Sequence, residues 1–169
     1  MIIWITGISG AGKTTLALEV LKKLKEKHKN VVNLDGDIIR DLFDNDLNYD
    51  IKSRIQQIKR LQKLSLFLQT QNIIVVVSAL YSSAGLLRWN RRNFKSYFEI
   101  YLDVSLDLVV KRDVKGIYKK FKEGKEKNIV GIDIPWNPPL NFDLKINMDK
   151  SISIKDTMSI ISKKLKIFD

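Results

Sequence analysis

Short apolar runs at residues 2–5, 31–34, 73–77 and 98–102 are separated by longer stretches in which apolar positions recur three and four residues apart. Each run is too short for a helix and is bounded by polar or turn-forming residues, the mark of a strand buried on both faces, whereas the spacing between runs is helical. This alternation predicts βαβ units and hence an α/β fold, a parallel sheet with helices on both sides. A fifth strand is expected at 144–148. Residues 154–165, with Ile154, Met158, Ile161 and Leu165 in step, predict a C-terminal helix. The longest helix is expected over 50–71, with Ile51, Ile55, Ile58, Leu61 and Leu64 on one stripe and Arg54, Gln57 and Arg60 on neighbouring faces. Residues 112–139 break the plan: they are rich in Lys and Gly, show little apolar periodicity and end in Pro135, Pro138 and Pro139. A short helix followed by a mobile covering loop, a lid, is expected there.

Between the first run and the first helical stretch stands Gly7-Ile8-Ser9-Gly10-Ala11-Gly12-Lys13-Thr14, followed by Thr15. Strand, glycine loop and helix in that order make a P-loop, in which main-chain N–H groups cradle a nucleotide triphosphate. The donor-binding residues are therefore expected to be Gly7, Ser9, Gly10, Ala11, Gly12, Lys13, Thr14 and Thr15. The Lys13 ammonium would reach the β- and γ-phosphates and the Thr14 hydroxyl would bind Mg2+. The donor is ATP or GTP on these grounds. After the second run comes Leu34-Asp35-Gly36-Asp37, with Arg40 three residues on, at the carboxyl end of a strand, where open α/β sheets bind ligands. Asp35 is expected to organise the waters around Mg2+, Asp37 to accept the proton of an attacking hydroxyl, and Arg40 to clamp an anionic acceptor. The pair of carboxylates also suits a plain helix-capping turn, and the two readings are compatible.

Composition narrows the class. At 169 residues and 44% hydrophobic content, one domain spanning the whole chain is expected. The absence of cysteine rules out disulfides and thiolate metal sites. The first apolar stretch is too short for a secretory leader and no apolar run approaches membrane-spanning length, so a soluble, cytoplasmic protein with no membrane partner is expected. A net charge of +11 favours anionic partners. The lysines are scattered along helices without the interleaved aromatics of a single-strand platform, which favours small, multiply charged anions over nucleic acid. A nucleotide-dependent, RNA-associated regulatory module is the reading of another class. His28, in a charged helix end, is expected to be solvated.

The chain resembles the adenylylsulfate kinases. The resemblance is carried by the P-loop, by Asp35-Gly36-Asp37 with Arg40, by Arg54 and Arg60, by Arg112-Asp113-Val114-Lys115-Gly116-Ile117-Tyr118 and by Gly131-Ile132-Asp133-Ile134-Pro135-Trp136. It implies a P-loop NTPase-type three-layer sandwich, a homodimer, and transfer of a phosphoryl group from MgATP to the ribose 3′-hydroxyl of a small nucleotide. It further implies that Arg112 meets the donor and that residues 115–133 close over both substrates. Tyr49 and Trp136 would sandwich the acceptor base, Arg40 and Arg54 would grip its phosphate side, Lys115 would approach phosphate, and Gln57 and Ile132 would line the acceptor site, Gln57 standing where the family usually has asparagine. After the third strand the family commonly has Ser-Pro-Tyr and an arginine four residues later, whereas this chain has Ala79-Leu80-Tyr81 and Gly85. Losing a hydroxyl and a guanidinium beside the acceptor changes what the site can discriminate. Together with the segment from Asp133 to Pro139, this resembles the bacterial branch acting in capsule modification and implies cytidine diphosphoramidate as acceptor, with adenylyl sulfate the alternative.

Overall fold

The computed structural model describes residues 1–150 and 152–168. Strands β1 (Ile2–Thr6), β2 (Val31–Asp35), β3 (Ile74–Ala79), β4 (Tyr97–Asp103) and β5 (Leu144–Asn147) form one parallel sheet in the order β2-β3-β1-β4-β5. Because successive side chains on a strand point to opposite faces, β1 feeds two cores. Ile3 and Ile5 join Val76, Leu16, Val20 and Ile161 on the face covered by α1 (Lys13–Lys25) and α7 (Ile154–Lys164). Ile2 and Trp4 join Val75, Val77, Leu61 and Leu86 on the face covered by α3 (Ile51–Thr70) and α4 (Ala84–Asn93). The result is a three-layer α/β P-loop fold, as expected. The strands run in register, Thr6 opposite Ala79 and Tyr101, and Asp35 opposite Ser78, so the loops that follow β1, β2 and β3 gather at one end of the sheet.

Short helices complete the crossovers: α2 (Gly36–Leu42), α5 (Leu106–Arg112) and α6 (Ile117–Lys122). Side-chain caps set most helix starts, with Asp50, Ser83, Ser105 and Ser153 each accepting a hydrogen bond from a main-chain N–H of the first turn.

Four expectations are revised. The buried stripe of α3 is rotated: Ile51 is exposed, while Gln57, Gln62 and Ser65 are buried beside Ile58 and Leu61. Gln62 is accommodated because its amide donates to the Leu86 carbonyl and to Asn90 Oδ1. On α7, Ile154 is exposed and Thr157 buried. His28 is not simply solvated, since its Nε2 lies 3.1 Å from the Ile167 carbonyl oxygen. The segment 112–139 lacks periodicity yet packs closely: Tyr118, Ile129, Val130 and Ile134 are all buried. Two of these, Tyr118 and Ile129, form a small core of their own with Ile8 and Val109.

One buried carboxyl away from the loops carries a pH-dependent consequence. Glu99, opposite Trp4 in the sheet, is fully buried; Tyr97 Oη donates to its Oε2 at 2.8 Å, and Oε1 has no partner. Burial pushes the carboxyl up to about 7, only partly offset by Tyr97 and Arg91. Since the unfolded chain releases this proton near the ordinary glutamate value, the native state holds an extra proton between roughly pH 4.5 and 7, and stability falls as pH rises across that window. Glu99→Gln is therefore expected to raise the melting temperature at pH 8. Its advantage over wild type should shrink by about 2 kcal/mol at pH 5.5. Thermal melts of both proteins at the two pH values measure this, and an equal gap at both would mean that Glu99 does not titrate in the window.

Candidate active site

The first loop departs from β1 at Gly7, where a Cβ would lie 2.8 Å from the Leu102 carbonyl oxygen, so the close approach of β1 to β4 requires glycine. Gly10 and Gly12 hold φ of 80° and 92°, the left-handed region that curls the main chain round a concavity. Ser9 and Ala11 are buried in the wall of that curl, and Thr14 and Thr15 are exposed on the first turn of α1. The leading amides of a helix have no intrahelical acceptor. At α1 no side chain caps them. At α6, which also begins on a glycine, Asp113 accepts from the amides of Tyr118 and Lys119. The amides at the start of α1 are thus left for an anion.

Lys13 is half-buried with its Nζ 2.9 Å from the Ile8 carbonyl oxygen. Burial, and next the charge of Lys115, push its ammonium down to about 8. Asp35 ends β2, and its Oδ2 accepts from Thr14 Oγ1 at 2.8 Å and from Ser78 Oγ at 2.5 Å while Oδ1 accepts from the Asp37 amide at 2.9 Å. Burial alone would raise its carboxyl, but donation from Ser78 and Thr14 outweighs this and holds it below the usual range. Asp35 caps α2, as the helix-capping reading expected, and it also accepts from the P-loop threonine. Ser78 lies one residue past the apolar run 73–77 and is not among the residues that the sequence singles out. Its only signal is a polar residue one step before the end of a buried strand.

Asp37, two residues on in the first turn of α2, is exposed, with Lys115 Nζ 2.5 Å from its Oδ2. Arg40 is buried and donates to the carbonyls of Leu47 and Asn48. Arg54 donates to the carbonyls of Tyr49 and Asn128, which ties α3 to the segment expected to form a lid. The Tyr49 ring has the Arg40 guanidinium 4.6 Å and that of Arg54 5.5 Å from its centre, so it carries both cations. Gln57 is buried, donating to the Gly36 carbonyl and accepting from Arg60, which also pairs with Asp46. Trp136 leans on Tyr101 with ring centres 6.4 Å apart, Ile132 is exposed, and Arg112 ends α5 exposed. The turn before Trp136 is closed by Asp133, which accepts from the amides of Asn128 and Ile129.

Electrostatically the region is unbalanced. Among the described residues Arg40 and Arg54 belong to no ion pair, whereas Arg60 and Arg91 both do. Burial and the proximity of Arg40 lower the Arg54 guanidinium, and Arg54 in turn contributes to lowering Lys13. Guanidiniums removed from water without a carboxylate are costly unless an anion completes them. Oxygen donors also suit the counter-ion of a triphosphate. No group of three or more His, Cys, Asp or Glu that could cage a metal is found among the described residues. Mg2+, however, is commonly held by one carboxylate or hydroxyl with substrate phosphates and water, and the joined Thr14 and Asp35 fit that role.

A glycine loop with its lysine, joined through the P-loop threonine to an aspartate at the end of β2, one strand removed across a parallel sheet, defines the class: a P-loop kinase, an ATP-dependent phosphotransferase. The adenylylsulphate kinase family model matches residues 1–147, and the chain belongs to that family. It is 35% identical over 166 residues to the cytidine diphosphoramidate kinase of Campylobacter jejuni, covering 98% of this chain and 96% of that protein. It is 38% identical over 160 residues to the adenylyl-sulfate kinase of Halothermothrix orenii, covering 94% and 86%. The structure of the Mycobacterium tuberculosis APS kinase CysC in complex with AMPPNP and APS superposes with a TM-score of 0.89 at 30% identity, over 98% of this chain and 96% of that one. The protein is accordingly an ATP-dependent kinase acting on a small nucleotide. No helix among the described residues is long and apolar enough to cross a membrane.

Proposed function

We propose that the protein transfers the γ-phosphoryl group of ATP to the ribose 3′-hydroxyl of a nucleotide whose 5′-phosphate carries a second anionic group, with adenylyl sulfate as acceptor. The observation that carries the acceptor side is the pair Arg40 and Arg54, two guanidiniums that among the described residues have no carboxylate at ion-pair distance and hydrogen-bond only to main-chain carbonyls. A nucleotide bearing two linked acidic groups supplies the missing charge. In this reading residues 7–15 hold the donor, with Lys13 on its β- and γ-phosphates and Thr14 and Asp35 beside its Mg2+. Arg112 reaches the donor from the end of α5. Asp37 receives the proton of the attacking hydroxyl after Lys115 has turned from it toward phosphate. Gln57 holds the Gly36 carbonyl and with it the turn that carries Asp37, while Ile132 and Trp136 close the acceptor side opposite Tyr49. Little covalent work falls to the protein; the rate comes from placing the two nucleotides in line and offsetting the charge that develops between them.

The family model and the sulfate-acting relatives move adenylyl sulfate ahead of the acceptor expected from the sequence. Cytidine diphosphoramidate remains the second reading, on the near full-length match to the Campylobacter jejuni enzyme. Gly85, with only Ser83 Oγ at 4.0 Å beside a would-be Cβ, also leaves open the space a larger residue would fill. The phosphoramidate is close to sulfate in size but adds N–H donors, so the two are separated by which hydrogen-bonding groups face them. An ADP-release assay offering each acceptor is expected to give the higher kcat/KM for adenylyl sulfate. A preference for cytidine diphosphoramidate would install the second reading, and turnover of neither would overturn the acceptor assignment.

A further inference from the structure

We infer that Tyr118 is a positioning residue for the donor nucleotide: its hydroxyl, reaching from α6 to the glycine loop, holds the Ser9 carbonyl so that the Gly10 amide is aimed into the phosphate cradle. The inference rests on reading residues 7–15 as the donor site. Tyr118 is 3% exposed, and its Oη donates to the Ser9 carbonyl oxygen at 3.2 Å across 109 residues of sequence. In a planar trans peptide the C=O of one residue and the N–H of the next point in opposite directions. Drawing the Ser9 oxygen outward to Tyr118 therefore turns the Gly10 N–H inward, where the φ of 80° at Gly10 continues the curl toward α1. Without this bond the Ser9–Gly10 peptide could rotate at glycine's small conformational cost, and a carbonyl facing the cradle would repel phosphate.

The tyrosine is held firmly enough to impose this. Its ring packs with Ile8, Val109 and Ile129. Gly116, at φ 68°, starts the helix, and Asp113 fixes the amides of Tyr118 and Lys119. Burial, and next the charge of Asp113, push the phenol up to about 12, so the hydroxyl keeps the proton it donates. At 3.2 Å the bond is long for an O–H···O contact. A bond that tightens once the donor fills the loop is the behaviour expected of an active-site contact. Three residues earlier, Lys115 meets Asp37, so this short segment touches the donor loop and the acceptor-side carboxylate at once.

Tyr118→Phe removes only the hydroxyl. Titration of AMPPNP with Mg2+ by calorimetry is expected to show roughly five-fold weaker binding than wild type, the size of one lost hydrogen bond. KM for ATP should rise by a similar factor, while kcat at saturation changes less than about two-fold. Tyr97→Phe, which deletes another buried tyrosine hydroxyl that contacts Glu99 and Asn90, is expected to lower stability without altering nucleotide affinity. Unchanged AMPPNP affinity in Tyr118→Phe, or a loss no greater than that in Tyr97→Phe, would overturn the inference alone. Failure of the wild-type protein to bind AMPPNP would overturn the donor-site reading and the inference with it.

Discussion

Lys13→Ala is expected to lower kcat by about 10³-fold, the upper end for deleting one preorganised donor to developing charge, in a protein that melts no lower than wild type. The two halves of this expectation share a cause. In the empty site the ammonium is half-buried, satisfied by a single carbonyl, and pushed down to about 8 by burial and by Lys115. A base whose native value is depressed releases its proton earlier in the folded state. At neutral pH it is held charged at a cost, which is relieved as pH rises from about 8 toward the ordinary lysine value. Deleting Lys13 removes that cost, and a gain of order 1 kcal/mol at pH 7 is expected. Triphosphate binding offsets the same cost by supplying the counter-charge, so donor affinity should decline above pH 8. Steady-state kinetics and thermal melts check both halves. Retention of more than a tenth of wild-type turnover would remove Lys13 from the mechanism.

Asp37→Asn is expected to lower kcat by 10²- to 10³-fold, roughly the contribution of a positioned general base, with KM for ATP nearly unchanged. The amide keeps the size of the side chain but cannot take the hydroxyl proton. Because the ion pair with Lys115 is exposed on both sides, its loss should barely move the melting temperature. Asp35→Asn makes the contrast. Its carboxylate is buried, receives Thr14, Ser78 and the Asp37 amide, and caps α2. That substitution should lower stability and turnover together, because an amide NH2 turned toward either hydroxyl replaces an acceptor with a donor. A fall in kcat for Asp37→Asn of less than ten-fold would show that the base lies elsewhere or that the hydroxyl needs none.

Much of this was legible in the chain. The apolar runs located β1 to β4 to within two residues, because strands covered on both faces are largely apolar, while β5, at the sheet edge with Lys145 and Asn147 exposed, alternates between apolar and polar. The glycine loop was legible because its main chain must adopt conformations that other residues resist at Gly10 and Gly12 and must pass too close to Leu102 at Gly7. Asp35 and Asp37 followed from their place at the end of a strand. Less legible was α3, where helical periodicity placed Ile51 inside and left Gln62 and Ser65 out. Periodicity records which face is apolar on average, whereas burial is decided by what stands opposite, here Leu86 and Asn90 of α4.

Segment 112–139 shows the same division. Its composition reads as a solvated loop, yet Tyr118, Ile129, Val130 and Ile134 are buried because Ile8, Val109 and the α3 face are there to receive them. The sequence by itself determined the strand and helix order, the phosphate cradle and the two carboxylates, since those depend on local main-chain geometry and on the period of apolar positions. Only the tertiary structure decided that Ser78 completes Asp35, that Tyr118 reaches Ser9, that Lys115 sits on Asp37, and that Arg40 and Arg54 stand without a carboxylate beside Tyr49. The first three are meetings of residues 43, 109 and 78 positions apart, and the last depends on how the turn between α2 and α3 folds back on itself; such contacts leave no period or spacing in the sequence from which they could be read.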